Sequence, residues 1–181
     1  MTRTETPQIP PPSGELERIF QNHHSVVFST AFRVTGSAED AEDVLQTVFL
    51  RLLRRQESLD LSPSPGSYLR RAAVNASLDL LRVRSRKGSL PGDDFDTLPS
   101  QNGLADPDRR QSDQELRRNL RQAILGLSPK NAEIFTMRFL DGISNRDIAK
   151  ALGMSQTAVG VALHRARNQV KQELGNLLST H

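Results

Sequence analysis

Thr157, Val161, His164 and Asn168 recur at spacings of three and four. At ~100° per residue that spacing lines them along one side of a helix. Threonine, asparagine and neutral histidine can exchange hydrogen bonds with base edges, and a valine suits a thymine methyl. Arg165, Arg167 and Lys171 follow, placed for phosphates. The helix start at Ser155 and Gln156 offers backbone N–H groups to a further phosphate. Val159, Leu163, Ala166 and Val170 fall on the opposite side, as an anchored helix requires. The chemistry these residues suit is recognition of duplex DNA.

Residues suited to bond-making chemistry are sparse. His23 and His24 are adjacent, and neighbours on a helix point ~100° apart, which disfavours chelation of one metal. The chain has no HExxH, phosphate-binding P-loop or nucleophile elbow. It has no cysteine, which excludes disulfides and thiolate zinc sites. The acidic run Glu39, Asp40, Glu42, Asp43 is explained by a helix start, whose dipole favours negative charge. The expectation is therefore no catalytic residue, no metal and no cofactor.

The reading helix needs a partner. Ser144 to Asp147 has a capping-box pattern and opens a short helix that carries Ile148, Ala149 and Leu152. Gly153 supplies the left-handed turn, and Ser155 caps the reading helix. The pair makes a helix-turn-helix. Upstream, Leu116, Leu120, Ala123, Ile124 and Leu127 form one stripe. Ser128-Pro129 opens another helix, with Ile134, Phe135, Arg138 and Phe139, which Asp141-Gly142 stops.

The first half of the 181-residue chain holds three more stripes. Leu16, Ile19, Phe20, Val27, Ala31 and Val34 end at Gly36. Ala41, Val44, Leu45, Val48, Phe49 and Leu52 follow a Ser37 cap. Leu69, Ala73, Ala76 and Leu80 follow a loop at Ser62 to Gly66 and lead into the basic run Arg82, Arg84, Arg86, Lys87. Between Gly88 and Asp108 lie five aspartates and no Lys or Arg, which reads as an acidic, flexible linker. Residues 1–13 are polar and proline-rich, with no signal-peptide core, and read as a disordered lead. No apolar stretch approaches the ~20 residues of a membrane span. With 4% aromatics, the expected fold is all-α. It comprises two small helical domains, 14–87 and 109–181, joined by the flexible linker 88–108, with the helix-turn-helix in the second. A cytoplasmic location is expected.

The run Ala38-Glu39-Asp40-Ala41-Glu42-Asp43-Val44-Leu45-Gln46 resembles the second conserved region of sigma-70-type factors, in the extracytoplasmic-function group. Gly66-Ser67-Tyr68-Leu69 through Asn75-Ala76-Ser77-Leu78-Asp79-Leu80-Leu81-Arg82 is similar to the family's minus-ten stretch. Leu127-Ser128-Pro129, Ile134 to Phe139, Gly142-Ile143-Ser144 and Leu163-His164-Arg165-Ala166-Arg167 resemble its fourth region. The resemblance runs from about Leu16 to Leu174, the linker apart.

The resemblance implies an RNA polymerase sigma factor that directs promoter recognition and transcription initiation. Asp40, Asp43, Val44, Gln46 and Phe49 would meet the clamp of the largest polymerase subunit. Tyr68, Arg70, Arg71, Asn75, Arg82 and Arg84 would meet the melted minus-ten strand. Ser155, Gln156, Thr157, Val161, His164, Arg165, Arg167, Asn168 and Lys171 would meet the minus-thirty-five duplex. The second half would also touch a flap on the second-largest subunit. Promoter DNA, core polymerase and an anti-sigma factor are the partners implied.

The chain departs from the family pattern in three places. Thr47 stands where members often have Glu, and Tyr68 where they usually have Trp. Gly160, Val161 and Ala162 replace a common Lys-Ser-Arg, which removes two charges from the DNA side. An altered minus-thirty-five preference or weaker duplex binding is expected. The competing readings are a helix-turn-helix repressor or activator acting without polymerase, and a degenerate sigma-like protein acting by protein–protein contact.

Overall fold

The computed structural model describes residues 14–54, 64–88 and 107–179, in seven helices: α1 (Gly14–Thr35), α2 (Ala38–Arg54), α3 (Pro65–Arg86), α4 (Pro107–Leu125), α5 (Pro129–Phe139), α6 (Asn145–Leu152) and α7 (Gln156–Ser179). No strand occurs among the described residues. The expected N-terminal lead and nearly all of the expected linker lie outside them.

Helix starts follow local chemistry. Ser128 and Ser144 accept from the N–H three residues on, with Pro129 pre-set for the first turn of α5. Ser64 does the same for α3 with Pro65, so that helix begins before Ser67 and absorbs part of the expected loop. Ser37 Oγ accepts from the Asp40 N–H at 3.3 Å. The Asp40 side chain does not complete a capping box, because it is buried and bound to Arg84.

α1, α2 and α3 close a core of Leu16, Val27, Ala31, Ala41, Val44, Val48, Leu52, Leu69, Ala73 and Ala76. The α4–α7 core includes Ala123, Ile124, Ile134, Met137, Ile148, Val159, Leu163, Ala166 and Val170. Three stripe residues are instead exposed: Phe20, Leu116 and Phe139. Phe20 lies edge-on to Phe49, and Phe139 packs on Phe135. Both aromatic rings keep partial cover at the rim of a core.

The two halves are in direct contact. α3 carries a second apolar stripe, Val74, Leu78 and Leu81, which joins the α4–α7 core together with Val34 of α1. Burying such side chains stabilises by roughly 1.5–3 kcal/mol each. Ion pairs rim this seam, but their arginines are about 40% exposed, so solvent screens them. Apolar burial therefore supplies most of the attraction, and the charges fix the register.

Candidate nucleic-acid interface

α6 and α7 make the helix-turn-helix. Gly153 adopts φ +62°, and Met154 N–H donates to Ala149 O at 2.9 Å, closing α6 with a left-handed cap. Ser155 Oγ accepts from the Ala158 N–H at 3.1 Å and opens α7. Ile148, Val159 and Ala166 are fully buried and fix the angle between the two helices. Ser155, Gln156, Thr157, Val161, His164, Arg165, Arg167, Asn168 and Lys171 are all exposed. Asn168 Nδ2 lies 3.2 Å from His164 Nε2, and the Arg167 guanidinium sits 5.3 Å from the Phe139 ring centroid. The reading face is thus a solvated surface with its polar groups in reach of one another.

A Cβ built on Gly160 meets nothing within 4 Å. Gly160→Ala is expected to stabilise the second half by ~0.5–1 kcal/mol through helix propensity. Thermal melting checks this, and a lower melting temperature than the parent would contradict it.

In the first half, α2 and α3 enclose a recess of ≈ 460 Å³, lined by Val48, Arg51, Arg54, Tyr68, Arg71, Ala72 and Asn75. Tyr68, Arg71 and Asn75 were expected to meet DNA. Arg51 and Arg54 were legible only as the basic end of a helix, because their approach to Tyr68 depends on how α2 packs on α3. Three guanidinium groups beside one aromatic ring and one carboxamide suit an unstacked base with its phosphates.

Other expected residues lie elsewhere. Arg84 is committed to Asp40, whose carboxyl is pushed above its ordinary value by burial, against the opposing charge of Arg84. That pair corrects two expectations. Asp40 is buried rather than exposed for docking, and Arg84 is paired with it rather than free to meet a phosphate. Val44, also expected to meet polymerase, is buried in the core. Asp43 and Gln46 are exposed, and Phe49 is half-buried. Arg82 pairs with Asp79 at 2.9 Å on the exposed side of α3.

Arg70, Arg71 and Asn75 face the second half. Arg71 Nε donates to Glu133 Oε1 at 2.6 Å, and Asn75 Nδ2 donates to the same oxygen at 2.9 Å. Arg70 Nη1 lies 3.5 Å from Asp141 Oδ2. Arg121 Nε donates to Val34 O at 3.0 Å, and burial with the nearby charge of Arg117 lowers the Arg121 pKa to about 10. It stays protonated at neutral pH. Sequence reading had no signal for Glu133 or Asp141, since their partners stand in the other half of the chain.

Burial pushes the Glu133 carboxyl up, but hydrogen bonds from Arg71 and Asn75 and the charges of Arg71 and Lys130 outweigh it and leave its pKa below the ordinary 4.5. A lowered folded-state pKa gives stability that is complete above 4.5 and is lost as pH falls through the lowered value. Glu133→Gln is therefore expected to flatten the acid limb of stability. Urea unfolding across a pH series checks this, and an unchanged acid limb would contradict it.

An exposed helix-turn-helix on one helical unit and an arginine-lined recess on another define a DNA-binding transcription factor. Residues 19–87 match the family described as Sigma-70 region 2, and residues 117–170 match Sigma-70, region 4. The ferric citrate uptake sigma factor FecI of Escherichia coli is 31% identical over 143 residues, covering 79% of this chain and 81% of FecI. The extracytoplasmic-function (ECF) sigma factor SigW of Bacillus subtilis is 26% identical over 160 residues, covering 83% of this chain and 84% of SigW. SigE of Mycolicibacterium smegmatis is 28% identical over 160 residues; the match takes 87% of this chain but 61% of SigE, a longer protein. The sigma factor RpoE of Bartonella quintana, solved with the anti-sigma factor NepR, shares the fold at TM-score 0.50 and 19% identity, with 90% of this chain and 98% of that one covered. The chain belongs to the sigma-70 family, in its extracytoplasmic-function group, and is an RNA polymerase sigma factor. These matches do not favour a repressor acting without polymerase. The family comprises transcription factors rather than enzymes.

Proposed function

We propose that the chain docks on core polymerase through the exposed face of α2, captures the melted minus-ten strand in the α2–α3 recess and reads the minus-thirty-five duplex with α7. Asp43, Gln46 and Phe49 form the docking face. Tyr68 stacks a base while Arg51 and Arg54 hold its phosphates; Arg71 and Asn75 line the same recess but are bound to Glu133. Thr157, Val161, His164 and Asn168 read the major groove, and Arg165, Arg167 and Lys171 bind the flanking phosphates. The chain makes and breaks no bond itself; the polymerase supplies the chemistry, in the cytoplasm. The domains are 14–87 and 109–181. An anti-sigma factor is a further partner, since RpoE was solved with one.

The observation that carries this reading is the pairing, in one chain, of an arginine-lined recess between α2 and α3 with an exposed polar face on the second helix of a helix-turn-helix. Gel filtration of the full chain with purified core polymerase tests it. One-to-one co-elution that Gln46→Ala with Asp43→Ala weakens is the expected result. Separate elution of the two would overturn it.

A further inference from the structure

Two residues of α7 are unexplained by packing within the chain. Val161 is 47% exposed, the large apolar side chain that the described part of α7 leaves to solvent. Gly160 stands beside it in the helix interior, where a glycine destabilises relative to alanine. A Cβ at Gly160 would meet nothing within 4 Å, so no neighbour inside the chain requires the missing side chain. Nor does Gly160 have the left-handed backbone of Gly142 or Gly153. The remaining use of a glycine is to let the backbone come close to something outside the chain.

The surroundings say what that partner is. Thr157 lies one turn before Val161, and His164 and Arg165 lie one turn after, all exposed. Ser155 caps α7 through the Ala158 N–H at 3.1 Å, which puts Val161 in the second turn, near the end of a reading helix that meets base edges. Hydrogen-bonding groups thus bracket a side chain that can neither donate nor accept. In the major groove, thymine sets its O4 acceptor next to an apolar C5 methyl that the other bases lack. A valine between donors matches that edge. Opposite guanine it would leave the N7 and O6 acceptors without a donor.

We infer that Val161 contacts the C5 methyl of a thymine in the minus-thirty-five duplex, and that Gly160 lets the α7 backbone approach the groove closely enough for this short side chain to reach it. The inference rests on the reading of α7 as the duplex-reading helix, and it adds the base that one position selects. The stability lost at Gly160 is then offset by a contact made only on DNA.

The test uses polymerase reconstituted with the full chain, and a mapped promoter in which each minus-thirty-five thymine, on either strand, is replaced singly by deoxyuridine. Uridine lacks only the methyl. At one position it is expected to weaken binding about fourfold, the effect of returning one methyl contact to water. In Val161→Ser that penalty is expected to disappear. Equal binding of every uridine probe by the parent overturns the inference. So does a penalty that persists unchanged in Val161→Ser, because the methyl would then act without Val161. Gly160→Ala is expected to raise the melting temperature and yet weaken promoter binding several-fold; unchanged or tighter binding overturns the role given to Gly160. Val161 is exposed and Gly160 has open space beside it, so both variants should keep the parent's helical circular dichroism. Failure of the duplex-reading assignment has a separate signature: His164→Ala with Arg165→Ala would bind the unmodified promoter as tightly as the parent. Failure of methyl reading alone leaves that loss of binding intact while no uridine probe is penalised.

Discussion

Tyr68→Ala is expected to lower open-promoter formation by the reconstituted polymerase by about tenfold to a hundredfold, because base–aromatic stacking contributes ~1–3 kcal/mol. The ring lines the recess between α2 and α3 beside Arg51, Arg54, Arg71 and Asn75, so its loss removes the stacking surface and leaves the phosphate donors in place. Its neighbour Leu69, not Tyr68, is the α3 residue wholly buried at that level of the core, so the variant should keep its fold and its affinity for core polymerase. Permanganate reactivity of promoter thymines reads the opening directly. Normal reactivity in the variant would remove Tyr68 from strand capture. Tyr68→Trp should retain most of the activity, since an indole offers at least as large a stacking face.

Ile148→Ala is expected to destabilise the second half by roughly 2–5 kcal/mol, the usual cost of emptying a fully buried Ile site. Ile148 is 0% exposed and belongs to the core that includes Val159 and Leu163 of α7. Its loss should free α7 from its fixed angle to α6 and abolish duplex binding at the minus-thirty-five element. Polymerase docking through α2 is expected to survive, because the α1–α3 core contains no residue of α6. Circular dichroism melting with a duplex band-shift reads both effects. An unchanged melt would contradict the packing described for α6.

Most of the helices were legible because their signals are local. Ser128-Pro129, Ser144 with Asp147, and Gly153 each act through partners within a few residues, and the apolar stripes of α2 and α7 were on the correct faces. The seam was not legible in the same way. α3 was read for one stripe, Leu69, Ala73, Ala76 and Leu80, although Val74, Leu78 and Leu81 have helical spacing too. A helix buried on two sides looks like a slightly over-apolar helix buried on one. Asp141 looked like a helix stop, because its partners Arg33 and Arg70 lie far away in the chain. Asp40 looked like a surface carboxylate for the same reason: its partner is Arg84, at the other end of α3 from the recess. Arg51 and Arg54 fit the dipole of α2, and nothing within that helix distinguished this from a place in a binding recess.

Run-off transcription from a mapped promoter with purified core polymerase, in the presence and absence of the full chain, tests the central claim most directly. Transcripts that appear only when the chain is added, with footprints over both the minus-ten and minus-thirty-five elements, are the expected result. Binding of the chain to duplex DNA without any effect on polymerase initiation would contradict it.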